Sequence, residues 1–409
     1  MSSHEYAESE PDECAEPRSA RRVVRTEPDA GLLAALHCVA DAGSSDLHVA
    51  ADATPRWRVN GRLEPLPNET EWSREHVASV LFSLLSPAQL EAFETEQELD
   101  FSITLDARAR FRVNLYQQRD AVGAAFRLIP TDIKPLSSLG LPKSIGEFAR
   151  LPRGLVLVTG PTGSGKSTTL AAIIDLVNRT RADHIITVED PIEFLHTNKL
   201  ALVNQREVGT DTKSFTEALK RALRQDPDVI LVGELRDLET ISVALTAAET
   251  GHLVFATLHT QDAPQTIDRV IDVFPASQQA QVRTMLADTL KGVVSQTLVR
   301  RAGGEGRVVA TEILVSTPAI ANLIREGKTH QIPTVMQSGS SLGMHTLDQS
   351  LADLVNTQVV TSAAALAKAR DREGLKGLLR REDAVVSLGI VPETPTPTAF
   401  ADTFARVTS

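Results

Sequence analysis

The chain has 409 residues and a formal net charge of -11 at pH 7, which allows two or three domains and disfavours a nucleic-acid partner. Its apolar content is typical of globular proteins, and its two cysteines, Cys14 and Cys38, form no metal or disulfide pattern. No run approaches the ~20 apolar residues of a membrane span, and the acidic start is unlike a secretory leader. We therefore expect a cytoplasmic protein.

The first third of the chain predicts a mixed α+β domain. Residues 1–30 are polar, acidic and proline-containing, which predicts a disordered extension. A periodic pattern then defines a first domain over residues 31–130, with helical residues 73–96 and an Asn60-Gly61 hairpin turn. Its predicted strands are residues 46–49, 56–59, 101–105, 110–115 and 124–128.

The remainder predicts a second domain of α/β type. Proline and glycine mark residues 131–142 as a linker. Strands then alternate with helices, which predicts a doubly wound parallel sheet in a domain over residues 143–382. The predicted strands are residues 155–158, 184–188, 229–232 and 252–258. We expect residues 275–300 and 317–381 to be largely helical, and the Pro- and Thr-rich tail at 383–409 to be disordered.

The sequence GPTGSGKS occupies residues 160–167, between an apolar strand and an apolar helix. This is the context of a phosphate-binding loop, in which glycines turn backbone N–H groups inward at a helix N-terminus. Lys166 would reach the β- and γ-phosphates, and the Ser167 hydroxyl would bind Mg²⁺. The predicted nucleotide-binding residues are Gly160, Pro161, Thr162, Gly163, Ser164, Gly165, Lys166, Ser167 and Thr168.

Two further strands deliver carboxylates to the edge of the sheet where that loop lies. One ends at Glu234, which we predict to position or activate water and to bind Mg²⁺; the alternative is a surface ion pair with Arg236. Another ends in acids that include Glu189, a candidate metal ligand, and Glu193, a second candidate for water activation. Such acids repel one another unless a cation offsets them, although solvated loop acids are the alternative interpretation.

Histidines and arginines supply the remaining candidates. His252 and His259 bracket one apolar strand, and both a structural role and sensing of the γ-phosphate are open. In the first domain, Arg110 and Arg112 share a strand face and Arg127 lies on a neighbouring strand. Solvated arginines are one interpretation. The other is a cationic clamp on the nucleotide of a neighbouring subunit, because a transferring phosphoryl group needs cationic stabilisation.

The order of these motifs resembles that of the secretion ATPase superfamily and, within it, of the PilT-like retraction ATPases of type IV pili. The likeness spans roughly residues 31–370. Beyond the phosphate loop it is carried by residues 45–49, 189–193, 203–209, 245–252 and 319–326. The four-cysteine zinc loop of assembly and secretion relatives is missing from the sequence, so the retraction branch fits better. Ala321 departs from the family motif, which usually carries arginine there, and this bears on retraction rather than on ATP hydrolysis.

The resemblance implies a PAS-like N-terminal domain followed by a RecA-like P-loop ATPase domain with a helical C-terminal portion. It implies a homohexamer that hydrolyses ATP with Mg²⁺ between subunits, at the cytoplasmic side of the inner membrane. There it would act on the platform protein of the pilus base, with paralogous pilus ATPases as further partners. The residues to which it gives roles are Lys166 and Ser167 for phosphate and Mg²⁺, Glu193 and Glu234 for hydrolysis, His252 and His259 as a histidine box, and Arg112 and Arg127 for the γ-phosphate. The alternatives are a pilus assembly or type II secretion ATPase, or a nucleotide-binding regulatory paralogue in mixed rings.

Overall fold

The structure, a computed structural model, describes residues 28–59, 62–106, 109–129, 133–304 and 306–380. This part of the chain forms two compact units, which divide after Ile129. The tail at 383–409, the Asn60-Gly61 turn and nearly all of the predicted N-terminal extension lie outside the described residues. Among the helices described, none is both long and apolar enough to cross a bilayer.

The first unit is one antiparallel sheet with three helices. Its elements are α1 (Ala30–Asp41), β1 (Asp46–Val49), β2 (Arg56–Val59), β3 (Arg62–Pro65), α2 (Arg74–Phe82), α3 (Pro87–Glu96), β4 (Glu98–Asp106), β5 (Ala109–Gln118) and β6 (Ala121–Ile129). The strand order is β3-β2-β1-β6-β5-β4, and every neighbouring pair is antiparallel. The three helices are preceded by the N-cap residues Asp29, Ser73 and Ser86, whose side chains accept hydrogen bonds from backbone amides of the first turn.

Alternation along β5 explains which face of this sheet is buried. Phe111, Val113 and Leu115 are buried in the core of the unit, together with residues of α1 and α2. The intervening side chains, which include Arg112, lie on the other face. In the register of β5 and β6, Arg112 lies directly opposite Arg127. The sheet therefore pairs the two candidate arginines side by side.

The second unit is a larger α/β unit. Its elements are α4 (Ser144–Glu147), β7 (Gly154–Thr159), α5 (Lys166–Thr180), β8 (His184–Glu189), β9 (Leu202–Glu207), α6 (Phe215–Ala222), β10 (Val229–Val232), α7 (Leu238–Glu249), β11 (Leu253–Leu258), α8 (Ala263–Asp272), α9 (Ala276–Thr289), β12 (Leu290–Arg300), β13 (Arg307–Val315), α10 (Pro318–Arg325), α11 (Ile332–Ser338), α12 (Leu347–Asn356), α13 (Ser362–Leu366) and α14 (Arg372–Leu378). Two apolar clusters, one containing residues of α5 and the other residues of α7, α8 and α9, cover its sheet.

The sheet of the second unit has the strand order β13-β12-β7-β11-β10-β8-β9. All neighbours are parallel except β12 and β13, so the predicted parallel sheet is in fact a mixed sheet with one antiparallel edge. Every residue of the central strands β7, β10 and β11 is buried. Because helices cover both faces, these strands are continuously apolar rather than alternating.

The prediction that residues 275–300 are largely helical is wrong for their second half. Helix α9 ends at Thr289 and β12 begins at the next residue, Leu290, with no turn between them. The nearest glycine, Gly292, lies inside β12 rather than before it. The centre of β12 is buried on both faces, so its sequence lacks the alternation of a half-exposed strand. Strands β9 and β13 also lie in segments for which no strand was predicted.

Candidate nucleotide-binding site

The GPTGSGKS segment forms the loop between β7 and α5. Gly160 and Gly163 have φ values of +137° and +76°, and Gly165, at +92°, is the residue before the first turn of α5. Residues with a Cβ rarely adopt such values, so the loop needs glycine at these positions. The loop therefore ends at the N-terminus of a 15-residue helix, whose dipole and unpaired amides favour an anion.

Lys166 folds back over this loop. Its Nζ donates to the carbonyl oxygens of Gly160, at 2.9 Å, and Pro161, at 3.3 Å. Burial lowers the pKa of Lys166, and the negative charges of Glu234 and Glu193 act in the opposite direction. Both candidate carboxylates are therefore close enough to Lys166 to affect its pKa. This is expected if all three residues belong to one phosphate-binding site.

Glu234 follows β10 by two residues and is held from two sides. Its Oε2 lies 2.9 Å from Arg236 Nε, and its Oε1 lies 3.3 Å from His259 Nε2. Because β10 and β11 are parallel neighbours, the residues that follow them meet at one edge of the sheet. The ion pair with Arg236, which the sequence left as an alternative, is present. It coexists with the position of Glu234 beside Lys166 and His259.

Glu189 lies at the end of β8 and is half-buried. Its Oε1 accepts hydrogen bonds from Thr187 Oγ1, at 2.7 Å, and Gln205 Nε2, at 3.2 Å. Burial raises the pKa of Glu189, and these hydrogen bonds oppose the rise. Its position is thus set by β8 and β9, and its role as a metal ligand stays a prediction.

The donor set fits Mg²⁺ bound to a nucleotide better than a metal held by protein alone. The described residues contain no cluster of three or more His, Cys, Asp or Glu side chains that could hold a metal ion. Mg²⁺ usually takes one or two protein oxygens and completes its shell with phosphate oxygens and water. Ser167, in the first turn of α5, and Glu234 can provide such oxygens at the edge where the loop lies.

The two histidines do not converge. In the register of β7 and β11, Leu258 pairs with Thr159, next to the loop, whereas Leu253 pairs with Gly154 at the far end. His259 thus lies at the loop edge, and His252 lies about 20 Å away, given 3.3 Å per strand residue. The Nδ1 of His252 is 2.9 Å from the Ala247 carbonyl oxygen at the end of α7. Within one protomer, therefore, only His259 lies at the loop edge, and a role for His252 stays a prediction.

Arg112 and Arg127 belong to the first unit and are both partly paired. Arg127 Nε lies 2.9 Å from Asp46 Oδ1, and Arg112 Nη2 lies 3.8 Å from Asp100 Oδ1. Arg127 keeps 73% of its side chain exposed, so it is available to another molecule. Contact of either arginine with a nucleotide stays a prediction.

One residue of the site was missed by sequence reasoning. Gln296, on β12, is 3% exposed and donates from Nε2 to the carbonyl oxygen of Ser164 at 2.8 Å. It was overlooked because its segment was predicted to be helical. The signal that could have found it is the run of β-branched residues around it, Val293, Val294 and Thr297, which favours a strand.

The comparisons with known proteins agree with this geometry. Residues 39–366 match the family of type II/IV secretion system proteins. The chain is 52% identical to the type IV pilus retractation ATPase PilT of Pseudomonas aeruginosa, over 80% of this chain and 95% of that protein. It is 50% identical to a twitching motility protein of Neisseria gonorrhoeae, over 80% and 87% of the two chains.

A solved structure of the pilus retraction motor PilT with bound ADP has the same α/β fold. It superposes with a TM-score of 0.80 at 44% identity and covers 85% of this chain and 99% of that one. The resemblance to PilT-like retraction ATPases that the motifs indicated is confirmed. The chain belongs to the family of type II/IV secretion system proteins.

Proposed function

We propose that this chain is an ATP-hydrolysing motor that powers retraction of type IV pili and thereby twitching motility. The observation that carries the proposal is the match with the pilus retractation ATPase over nearly the whole of that protein. The site supports it, because a phosphate loop, a lysine and a carboxylate held by a histidine occupy one edge of the sheet. These are the parts that phosphoryl transfer to water needs.

The proposed chemistry is positioning and electrostatic stabilisation. Loop amides and Lys166 bind the phosphates, while Glu234 orients the attacking water. His259 and Arg236 hold one oxygen each of that carboxylate, which fixes its direction. When bound, Mg²⁺ would neutralise charge on the β- and γ-phosphates, held through Ser167 and Glu234. Glu193 is the second candidate for water activation, and it also lies in electrostatic range of Lys166.

The proposal extends to the assembly. The first unit is assigned a PAS-like fold and the second a RecA-like fold, in a homohexamer with nucleotide between protomers. Arg112 and Arg127 then clamp the γ-phosphate bound to the neighbouring protomer, and the exposure of Arg127 supports this. The ring acts at the cytoplasmic face of the inner membrane, on the platform protein of the pilus base.

A purified-protein assay tests the catalytic half of the proposal. Wild-type protein should release phosphate from ATP, and Lys166→Ala should lose both nucleotide affinity and turnover. Lys143→Ala, a change of an exposed lysine of the same unit, serves as the control and should keep both. Turnover by Lys166→Ala at the wild-type rate would refute the assignment of the loop.

A deletion strain tests the cellular half. Loss of surface motility together with extra surface pili indicates retraction. Loss of pili points instead to an assembly motor, and unchanged pili with impaired protein export point to a secretion ATPase. Wild-type protein that binds nucleotide without releasing phosphate would favour a regulatory paralogue.

A further inference from the structure

We infer that Gln296 is a positioning residue for nucleotide binding, which orients the peptide unit between Ser164 and Gly165 so that the Gly165 N–H faces the phosphates. This inference rests on the proposed function of the phosphate loop and adds a residue from a distant strand to it. The contact carries it: Gln296 Nε2 donates to the Ser164 carbonyl oxygen at 2.8 Å, and both residues are buried.

The geometry of the peptide bond turns this contact into an orientation of the amide. The Ser164 carbonyl and the Gly165 N–H belong to one planar trans peptide unit, so they point in opposite directions. With the carbonyl drawn towards β12, the N–H is turned away from β12. That N–H belongs to the residue immediately before α5, where amides of a phosphate loop gather around an anion.

This peptide unit needs an external restraint. Gly165 has no Cβ and a φ of +92°, a region in which glycine meets little resistance to rotation of the adjoining peptide plane. A Cβ at Gly165 would lie 3.2 Å from Gln296 Nε2, and one at Gly160 would collide with the backbone carbonyl of Gln296. The loop is therefore packed directly on this one residue, and its glycines make the approach possible.

Gln296 is itself held on a rigid support. Strand β12 pairs in parallel with β7, and Ser295 lies opposite Thr159, the last residue before the loop. Their side-chain oxygens are 2.7 Å apart. Ser295, the residue before Gln296, is thus bonded to the residue before the loop. This contact holds the backbone of Gln296 where its side chain meets Ser164 at hydrogen-bond distance.

The energetics favour a functional rather than a stabilising role. Gln296 Oε1 is buried and, within the described part of the chain, has no hydrogen-bond partner. A buried acceptor left unpaired destabilises the folded state, because it has given up its hydrogen bonds to water. Rotating the amide would place Oε1 against the Ser164 carbonyl oxygen, two acceptors facing each other, so the assigned orientation is the one that allows a bond. An apolar side chain would avoid this cost, yet could not orient the loop.

The test compares nucleotides that differ by one phosphate. Gln296→Met keeps the length and removes the donor, and Gln296→Glu keeps the shape and places an acceptor against Ser164. We expect each to lower the preference for ADP over AMP about tenfold, since one hydrogen bond to a charged phosphate is lost. Competition against a fluorescent ADP analogue measures both affinities. Gln281→Met, at an exposed position of α9, is the matched control and should keep the wild-type preference.

A merely structural role would weaken ADP and AMP binding in parallel and leave their ratio unchanged. That result in a folded variant, judged by its thermal unfolding midpoint, would overturn the inference. If the Gln296→Glu protein, which buries an acid, does not fold, the apolar Gln296→Met protein decides. Because the readout is binding, it stays informative when wild-type protein fails to hydrolyse ATP, a result that would refute the proposed function alone.

Discussion

His259 Nε2 lies 3.3 Å from Glu234 Oε1, although the two residues are 25 positions apart in the chain and follow different strands. The contact arises because β10 and β11 are parallel neighbours and end at the same edge of the sheet. Thr257, near the end of β11, also hydrogen-bonds to the carbonyl of Gly233. The ends of the two strands therefore fix the carboxylate and the imidazole relative to each other.

Replacement of the carboxylate should separate hydrolysis from binding. In Glu234→Gln, we expect kcat to fall by about 10²–10⁴-fold, the usual contribution of a group that positions or activates the nucleophile. ADP affinity measured without Mg²⁺ should change little, because the loop and Lys166 are intact. Phosphate release and ADP titration measure the two effects. Glu239→Gln, an exposed change on α7, should leave both at wild-type values, and a comparable loss there would contradict the assignment.

Mixing two inactive variants should restore activity if the arginines act between protomers. Lys166→Ala disables the loop, and Arg127→Ala disables the clamp. In rings mixed at equal ratio, about a quarter of the interfaces combine an intact loop with an intact arginine, because each protomer contributes one surface of either kind. ATP turnover of the mixture should then exceed that of either variant alone.

The control for this experiment is a second arginine bound to the same carboxylate. Arg58 Nε lies 3.6 Å from Asp46 Oδ2, whereas Arg127 Nε lies 2.9 Å from Asp46 Oδ1. Arg58→Ala should keep wild-type turnover. A mixture of Lys166→Ala and Arg127→Ala that stays inactive would rule out a clamp in trans by Arg127.

His196 should make the folded protein sensitive to acid. Burial lowers the pKa of His196 from 6.5 to about 4, and its Nδ1 is buried without a hydrogen-bond partner among the described residues. Since the pKa is depressed in the folded state, the unfolded state binds the proton first. The free energy of unfolding therefore falls as pH drops from 6.5 towards 4, by up to about 3 kcal/mol from this residue.

His196→Leu should flatten that part of the pH dependence, because no imidazole remains to be protonated on unfolding. The hydrogen bond from the His196 backbone N–H to Gln205 Oε1, at 2.7 Å, does not involve the ring and should persist. Urea unfolding at several values between about pH 4 and pH 7 measures the slope. His330→Leu, at an exposed position, should leave the wild-type slope in place. An equal slope in wild-type protein and His196→Leu would show that His196 is not the group responsible.

An arginine at position 321, which the resemblance to retraction ATPases would lead us to expect there, should destabilise this chain. Ala321 lies on α10 with 8% of its surface exposed, and it packs in the core together with residues of α9. An arginine there must bury its charge or push the helices apart, which we expect to cost about 1–3 kcal/mol. Urea unfolding measures it. Ala319→Arg, at an exposed position of the same helix, should cost little, and equal stability of the two variants would contradict the packing argument.

The parts of the site that the sequence predicted are those with a strong local pattern. The GPTGSGKS loop can be recognised from a few residues of local sequence. The same is true of the acid that follows an apolar strand. We could predict that these residues meet, because ligands bind at the carboxyl ends of the strands in such a sheet. The effect of the charges of Glu234 and Glu193 on the pKa of Lys166 agrees with this prediction.

What the sequence could not provide depends on strand order and on burial. The sequence places His252 and His259 at the two ends of one strand, and the register of β11 against β7 shows that His259 is the one beside the phosphate loop. Gln296 is polar and buried within an apolar strand, so neither helical nor strand periodicity identifies it. Its partner, Ser164, is 132 positions away in the chain.

The direct passage from α9 into β12 has a mechanical consequence. Helix α10 packs against α9, and α9 continues without a connecting turn into the strand that carries Gln296. Because α9 and β12 share continuous backbone, a displacement of α9 along its axis would also move β12, whose Gln296 contacts the phosphate loop. A load applied to α9 would thereby reach the nucleotide-binding loop through one stretch of backbone.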